Sequence, residues 1–318
     1  MALSPLQATG FLLAGAAVIG NDALQTLGTF LAANRGRVPR PLQALYLCAV
    51  LCLVLLLGWS QGDGGPAWGR LEAFPLPDRF AWGDLLPPLA VLLLTRWGAP
   101  VSTSFLVLTA FAPANLPSLL CQSLLGYGVA LLVGALVYGA LAWLLERPGD
   151  DPPGAAPHPG WLPLQWLAGG WLWGQWLIQD LANVYVYLPR QLEAPQMALS
   201  LTALCAGVCL LLAADGGPIQ ARLTSKSHVS DPRSATVISA VYGLLLAGFA
   251  WSSRRPLSTT WMFLGLLAGR ELALQARLRE RSATEVAGVL GADIARAGLG
   301  LAVSVAVALT VPLLRSAG

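Results

Sequence analysis

The sequence predicts an all-α polytopic membrane protein of two inverted-topology repeats with discontinuous helices or re-entrant hairpins. Three observations lead there: too few charges for a soluble domain, apolar blocks of spanning length, and landmarks that recur at one spacing. Only 11% of the 318 residues are charged and 56% are hydrophobic, whereas soluble domains run near a quarter charged. The apolar residues form roughly eight blocks, several longer than the ~20 residues that cross a ~30 Å hydrocarbon layer. Composition therefore makes the lipid bilayer a partner of the chain.

The landmarks define the organisation. LCAVLCLVLLLG (47–58) and LCAGVCLLLAADG (204–216) share one opening, 157 positions apart; Asp22 and Asp180 are 158 apart, and Ser102 and Ser258 are 156 apart. Three landmarks in one order and at nearly one offset mark an internal duplication. The Pro/Gly-rich stretch ERPGDDPPGAAPHPG separates the copies. This gives a first transmembrane repeat at 1–145, a linker at 146–162 and a second repeat at 163–318.

Within each copy the elements read alike. A long apolar segment carries the acid (about 6–34 and 163–189), and a helix with paired cysteines follows (about 41–60 and 196–213). A polar loop comes next, then a segment interrupted at P-x-S-T-S/T, then a Gly/Ala-rich helix (about 117–145 and 287–314). LLPPLAVLLLTR and FLVLTAF, on either side of the first interruption, are each short for a span. They form either a broken spanning helix or a re-entrant hairpin, and irregular backbone at that depth needs protein or a water-filled cavity around it. Parity favours the hairpin, because three crossings per copy turn the second copy upside down.

Loop charges agree with that inversion. Arg35, Arg37 and Arg40 crowd the 35–41 loop, while Glu193 balances Arg190 in its counterpart. The 61–84 loop is acidic, whereas Arg222, Lys226 and Arg233 outnumber the acids at 214–234. The positive-inside rule then places both termini outside and the linker inside, although the linker's own acids point the other way.

The membrane blocks contain groups that do not belong in lipid. A carboxylate at a helix centre costs about 2.5–3.5 kcal/mol on insertion scales, and Asp22 and Asp180 sit at matching places. Asn21 and Gln25 flank the first, and Gln179 and Asn183 flank the second, at the same −1 and +3 positions. A carboxylate with amide carbonyls is a hard-oxygen set, suited to Na⁺ or a proton relay. Gly20, Gly28 and Thr29 offer close backbone approach or a helix break in the first copy. Ser102, Thr103 and Ser104, with Ser258, Thr259 and Thr260, follow a proline at each interruption. A half-helix starting there presents N–H groups, hydroxyls and its positive dipole end to an anion; ordinary capping is the bland alternative. Arg96, Arg254 and Arg255 lie nearby, either snorkelling to headgroups or drawing in an anion. Asp293 and Arg296, three residues apart, are read as a structural pair.

Other function classes find little support. Lys226 is the only lysine and the arginines are dispersed, so no nucleic-acid footprint exists. Cys48, Cys52, Cys121, Cys205 and Cys209 read as small packing residues, and His158 and His228 fall in loops. No metal site beyond a Na⁺ at Asp22 and Asp180, no cofactor motif and no nucleophile–base pair is visible, so no enzyme is expected. The start MALSPLQATGFLLAG lacks the positive n-region of a secretory signal and is read as the first membrane segment.

These residues resemble the inorganic phosphate transporter (PiT) family, which also includes sulfate permeases. Each half of that family carries a signature like G-A-N-D-V-A-N-A and later a P-V-S-T-T-H motif. IGNDALQTLGT and IQDLANVYVYL resemble the two signatures, and PVSTSF and PLSTTW the hydroxyl motifs. The resemblance implies a Na⁺- or H⁺-coupled secondary transporter of inorganic phosphate or a similar tetrahedral oxyanion. Asn21, Asp22, Gln25, Asp180 and Asn183 would then bind the coupling ion, and Ser102, Thr103, Ser104, Ser258, Thr259 and Thr260 the oxyanion. Gln25, Gln179, Phe105 and Trp261 depart from the family pattern, marking a divergent member. A sulfate permease of the same fold, a channel and a non-transporting membrane scaffold or sensor are the other readings. A multi-pass protein of the plasma (inner) membrane is expected, with apolar faces that would suit a homodimer.

Overall fold

A computed structural model describes residues 3–96, 101–145, 158–214, 232–253, 256–278 and 283–316. Its regular elements are helices throughout the described residues. Four of them, Arg40–Gln61, Pro113–Ala140, Ala194–Ala213 and Pro232–Ser252, are long and apolar enough to cross a membrane.

Helix α1 (Pro5–Asn34) starts where the sequence supplies a cap. Ser4 Oγ accepts from the Gln7 N–H at 3.2 Å, and the Gln7 side chain returns to the Ser4 N–H at 2.9 Å; Pro5 occupies a position whose N–H has no helical acceptor. Helix α2 (Arg40–Gln61) returns alongside. After a loop, α3 (Leu86–Arg96) leads to the first hydroxyl turn, and the chain leaves it through a π-helical turn, Ser104–Leu108, and α4 (Thr109–Phe111). The excursion ends where it began, because Asn115 Nδ2 donates to the Ala73 carbonyl of the preceding loop at 2.7 Å. Helix α5 (Leu116–Leu145) closes this part.

The second part opens with α6 (Trp161–Asp180), a one-turn α7 (Ala182–Tyr185) and α8 (Ala194–Ala213). It continues with α9 (Pro232–Ser252), α10 (Thr259–Leu278) and α11 (Ala283–Ser316). Helix α9 runs in the same direction as α6: Gly243 meets Trp171 and Leu172, and the Leu246 carbonyl accepts from Gln179. Helix α10 runs with α5, Gly265 lying against Tyr127 and Gly269 against Leu131. So α9 and α10 form a hairpin that opens at the end of the bundle where α6 begins. Asn34 bonds Gln165 at that end, while the α3–α4 excursion opens at the opposite one, where Tyr187 bonds the Asp84 carbonyl. The two excursions enter from opposite ends and meet at their tips. The hairpin reading is thus observed, and the broken spanning helix is not.

Two expectations need correction. The first copy does not break its acid-bearing helix at Gly20, Gly28 or Thr29: α1 runs unbroken, Thr29 bonds Ser239 Oγ at 3.0 Å, and a Cβ on Gly20 would meet nothing within 4 Å. The interruption falls at Leu181, directly after Asp180, as a slight irregularity across which i→i−4 bonds continue, and the chain leaves the helix after the one-turn α7, where tertiary bonds hold it. Tyr185 Oη pairs with Ser200 Oγ at 3.0 Å, and Tyr187 Oη reaches Asp84. The half-length pieces hold for the first copy, with α3 of 11 residues, but α9 and α10 have 21 and 20 residues. The second hairpin has full-length arms. Helix α6 starts at Trp161, and linker residues 146–157 lie outside the described residues, as do His228 and Lys226.

Small residues allow the closest contact. A Cβ on Gly269 would lie 2.1 Å from the Leu131 carbonyl, and one on Gly265 2.3 Å from that of Tyr127. Glycines four apart on α10 let two backbones touch, the usual solution where lipid supplies no hydrophobic drive. Among the thiols, Cys48, Cys52 and Cys205 pack half-buried between α2 and α8, Cys52 and Cys205 sulfurs lying 3.7 Å apart, while Cys121 and Cys209 are exposed. Gly269→Val is expected to destabilise the protein by about 1–3 kcal/mol through overpacking. Gly128→Ala, whose Cβ meets open space, is expected to be neutral or slightly stabilising. Thermal unfolding in detergent checks both.

Candidate functional site

Asp22 lies in the inner part of α1 and Asp180 at the last residue of α6, both buried at 1% exposure or less. The tips of the two hairpins close over them. Thr103 donates to Asp22 Oδ2, and Thr259 donates to Asp180 Oδ2. Each acid therefore accepts from the middle hydroxyl of its own half. Each also accepts from the other half: Thr260 Oγ1 reaches Asp22 Oδ1 at 3.3 Å, and Ser104 Oγ reaches Asp180 Oδ1 at 3.4 Å. The pattern crosses again in the backbone. Ser104 Oγ lies 3.4 Å from the Leu257 carbonyl and Thr260 Oγ1 3.3 Å from the Val101 carbonyl.

The amides complete the network. Asn21 Nδ2 donates to Asp22 Oδ1 at 3.0 Å and to the Val101 carbonyl at 2.7 Å. Asn183 Nδ2 faces Thr103 Oγ1, Ser104 Oγ and Asp180 Oδ1 at 3.0, 3.2 and 3.3 Å. The two carboxylates are thus joined through Thr103 and Asn183. Both amides use their N–H groups, yet Asn21 Oδ1, Asn183 Oδ1 and Gln179 Oε1 are buried without a hydrogen-bond partner. A buried polar atom left unmatched costs about 1–3 kcal/mol, so Asn21 Oδ1 and Asn183 Oδ1, on amides bonded to the two acids, define a place for a donor or a cation.

The hydroxyl triplets divide their work. Ser102 Oγ and Ser258 Oγ accept the N–H groups of Phe105 and Trp261 at 3.3 and 3.2 Å. That is capping, so the bland reading holds for the first member of each triplet. The second and third members face the carboxylates. Hydroxyls can rotate to another acceptor without moving the backbone, which leaves them available to an anion once something else satisfies the acids.

Ten of the eleven expected site residues converge here; the side chain of Gln25 lies outside the described residues. Arg96 is exposed, whereas the hydroxyls it precedes in sequence are buried. Arg254 and Arg255, and the side chains of Asp293 and Arg296, lie outside the described residues. Among the described residues no group of His, Cys, Asp and Glu could hold a metal ion in the usual way.

Sequence reasoning missed three supports. Tyr242 Oη donates to the Thr259 carbonyl at 2.9 Å, and the Ser258 N–H donates to Ser123 Oγ at 2.9 Å. Ser123, one of three Ser and Gln residues at the start of the otherwise apolar α5, was the available signal. Arg70, counted only as a loop charge, is buried and lies near enough to Asp180 for their charges to interact.

No protein-family model and no curated protein matches the sequence. A solved structure does match the fold: a sodium-dependent phosphate transporter, with TM-score 0.61 and 14% identity over 97% of this chain and 98% of that one. The chain therefore has the fold of an integral, multi-pass membrane transporter.

A double-mutant cycle tests the crossed network. Thr103→Val is expected to destabilise by about 1.5–3 kcal/mol, the worth of a hydrogen bond to a charged group. In an Asp22→Asn background the same change is expected to cost less than about 1 kcal/mol, read by unfolding in detergent.

Proposed function

We propose that the chain is a divergent member of the inorganic phosphate transporter family and carries phosphate or a similar tetrahedral oxyanion, coupled to Na⁺ or H⁺. The observation that carries this reading is the crossed bonding of Asp22 and Asp180 at the meeting of the two hairpin tips. Landmarks at one offset, hairpins from opposite ends and matched bonds support two inverted copies, 1–145 and 163–318. The fold likeness to a sodium-dependent phosphate transporter supports the cargo class.

The mechanism follows from charge. Two buried carboxylates repel an anion, so the site as it stands is closed to one. A cation beside Asp22, held by its oxygens with Asn21 Oδ1, neutralises that acid; Asp180, with Asn183 Oδ1, takes another. These are hard oxygen donors, suited to Na⁺. Thr103, Ser104, Thr259 and Thr260 then turn their hydroxyl protons from the carboxylates toward the oxyanion, while Ser102 and Ser258 keep the turns in shape. Coupling is also required energetically. Carrying a dianion inward against ~100 mV costs about 4.6 kcal/mol, and two or three accompanying cations remove or reverse that term. Alternation comes from one repeat rocking against the other about the shared tips. The protein is placed in the plasma (inner) membrane, and exposed leucines on α2, α5 and α8 would suit a homodimer.

Sulfate is the second reading. Phe105 and Trp261 pack with ring centroids 5.5 Å apart directly after the triplets. They offer the cargo no proton acceptor, which a fully ionised sulfate does not need.

Uptake of labelled phosphate and sulfate into proteoliposomes, with Na⁺ and H⁺ gradients imposed separately, tests this. One anion is expected to accumulate under one gradient, and Asp22→Asn or Asp180→Asn to reduce that at least about 100-fold, as loss of a transition-bound charge partner does. Uptake indifferent to both gradients would favour a channel, and no uptake at all a scaffold.

A further inference from the structure

Four thiols meet where α2 of the first repeat packs on α8 of the second. Cys48 and Cys52 lie four apart on α2, and Cys205 and Cys209 four apart on α8, a spacing that puts each pair on one helix face. Cys52 Sγ lies 3.7 Å from Cys205 Sγ, and Cys48 Sγ 3.8 Å from the Cys205 carbonyl. Cys48 also lies near the Cys209 thiol. The 157-residue offset maps Cys48 onto Cys205 and Cys52 onto Cys209. It therefore maps the Cys52–Cys205 contact onto the Cys209–Cys48 contact, and the thiols zigzag between the two copies.

We propose that Cys52 and Cys205 are a disulfide site that staples the first repeat to the second. Packing alone asks only for small side chains, and alanine, present in both helices, would serve it as well. Alanine cannot bond. The sulfurs have to close from 3.7 Å to the ~2.05 Å of a disulfide, and rotation about χ1 swings a thiol between staggered positions without moving the backbone. The effect on transport rests on the oxyanion-carrier reading above. Rocking of one repeat against the other carries α2 past α8, and a covalent bond between them forbids that.

The surroundings select the oxidant. Exposed leucines flank the thiols, Leu45, Leu53 and Leu56 on α2 and Leu199 and Leu210 on α8, so the cluster opens on an apolar surface. Cys52 and Cys205 are half-buried, not sealed in the core. A lipid hydroperoxide dissolves in such surroundings, and a charged oxidant does not. One thiol attacks the peroxide: the O–O bond breaks, the lipid leaves as an alcohol carrying the thiol's proton, and the sulfur becomes a sulfenic acid. The second thiol attacks that sulfur; the S–S bond forms, the S–O bond breaks, and water leaves with the second proton. Two thiols thus lose two electrons, and one hydroperoxide becomes an alcohol and water.

The protein in nanodiscs, treated with cumene hydroperoxide, denatured under N-ethylmaleimide and digested with chymotrypsin, tests the site by mass spectrometry. A peptide joining Cys52 to Cys205 is expected, split by dithiothreitol, retained in Cys48→Ser/Cys209→Ser and absent from Cys52→Ser. No such bridge in either bridge-competent protein, or bridged dimers in place of bridged monomers, overturns the proposal. In proteoliposomes, oxidation is expected to lower gradient-driven uptake at least about tenfold, reversibly with dithiothreitol, and to leave Cys52→Ser unaffected. Full uptake by the bridged protein overturns the staple's effect on transport. A bridge that forms in a protein whose reduced state moves neither anion overturns the transport reading and leaves the disulfide site standing.

Discussion

Everything in this structure depends on neutralising two carboxylates that sit out of reach of water. Hydroxyls and amides bond to both Asp22 and Asp180. Hydroxyls are weaker partners than a cation but can let go. An ion pair would have stabilised the same burial permanently and left no vacancy for a transported ion. On the proposed function, partners of this kind would let the acids exchange a hydroxyl for an ion. Each tip presents two neighbouring hydroxyls to the carboxylates, while the first member of each triplet caps the backbone.

The crossing of the bonds adds a mechanical consequence. Because each acid accepts from both halves, a change at one site is felt by both hairpins at once. A cation that takes Asp22 from Thr260 loosens the same contact that ties the second hairpin to α1. Chemistry at the site and the relative position of the halves are one variable, which is what alternating access requires. The outer end of the molecule is built differently. Arg190 and Leu192 clamp the loop bearing Arg70 through backbone carbonyls, bonds that no transported ion needs to break.

Most of the site was legible in the sequence because lipid makes polar residues conspicuous. Asn21, Asp22, Asp180, Asn183 and the two hydroxyl triplets stand out from apolar blocks, and the common offset paired them before any coordinates did. The fold class followed from composition, and the hairpins from parity. What stayed hidden depended on contacts far apart in sequence. The path of the chain after α7 is fixed by Tyr185 and Tyr187 bonding to Ser200 and Asp84. The full length of α9 and α10 was obscured by reasoning from the shorter first copy. Ser102 and Ser258 look identical to their neighbours as letters, and only geometry separates cappers from carboxylate donors. Arg70 was unremarkable as one charge in a polar loop, and its burial shows only in the folded chain.

The central claim is that each carboxylate is a cation site. The most direct measurement is a structure determined with Tl⁺ replacing Na⁺, whose anomalous scattering locates the ion without assuming its ligands. The account predicts one Tl⁺ beside Asp22 and Asn21 Oδ1 and a second beside Asp180 and Asn183 Oδ1, both displaced by excess Na⁺. Bound phosphate or sulfate at the hydroxyl turns with no Tl⁺ near either acid would contradict it.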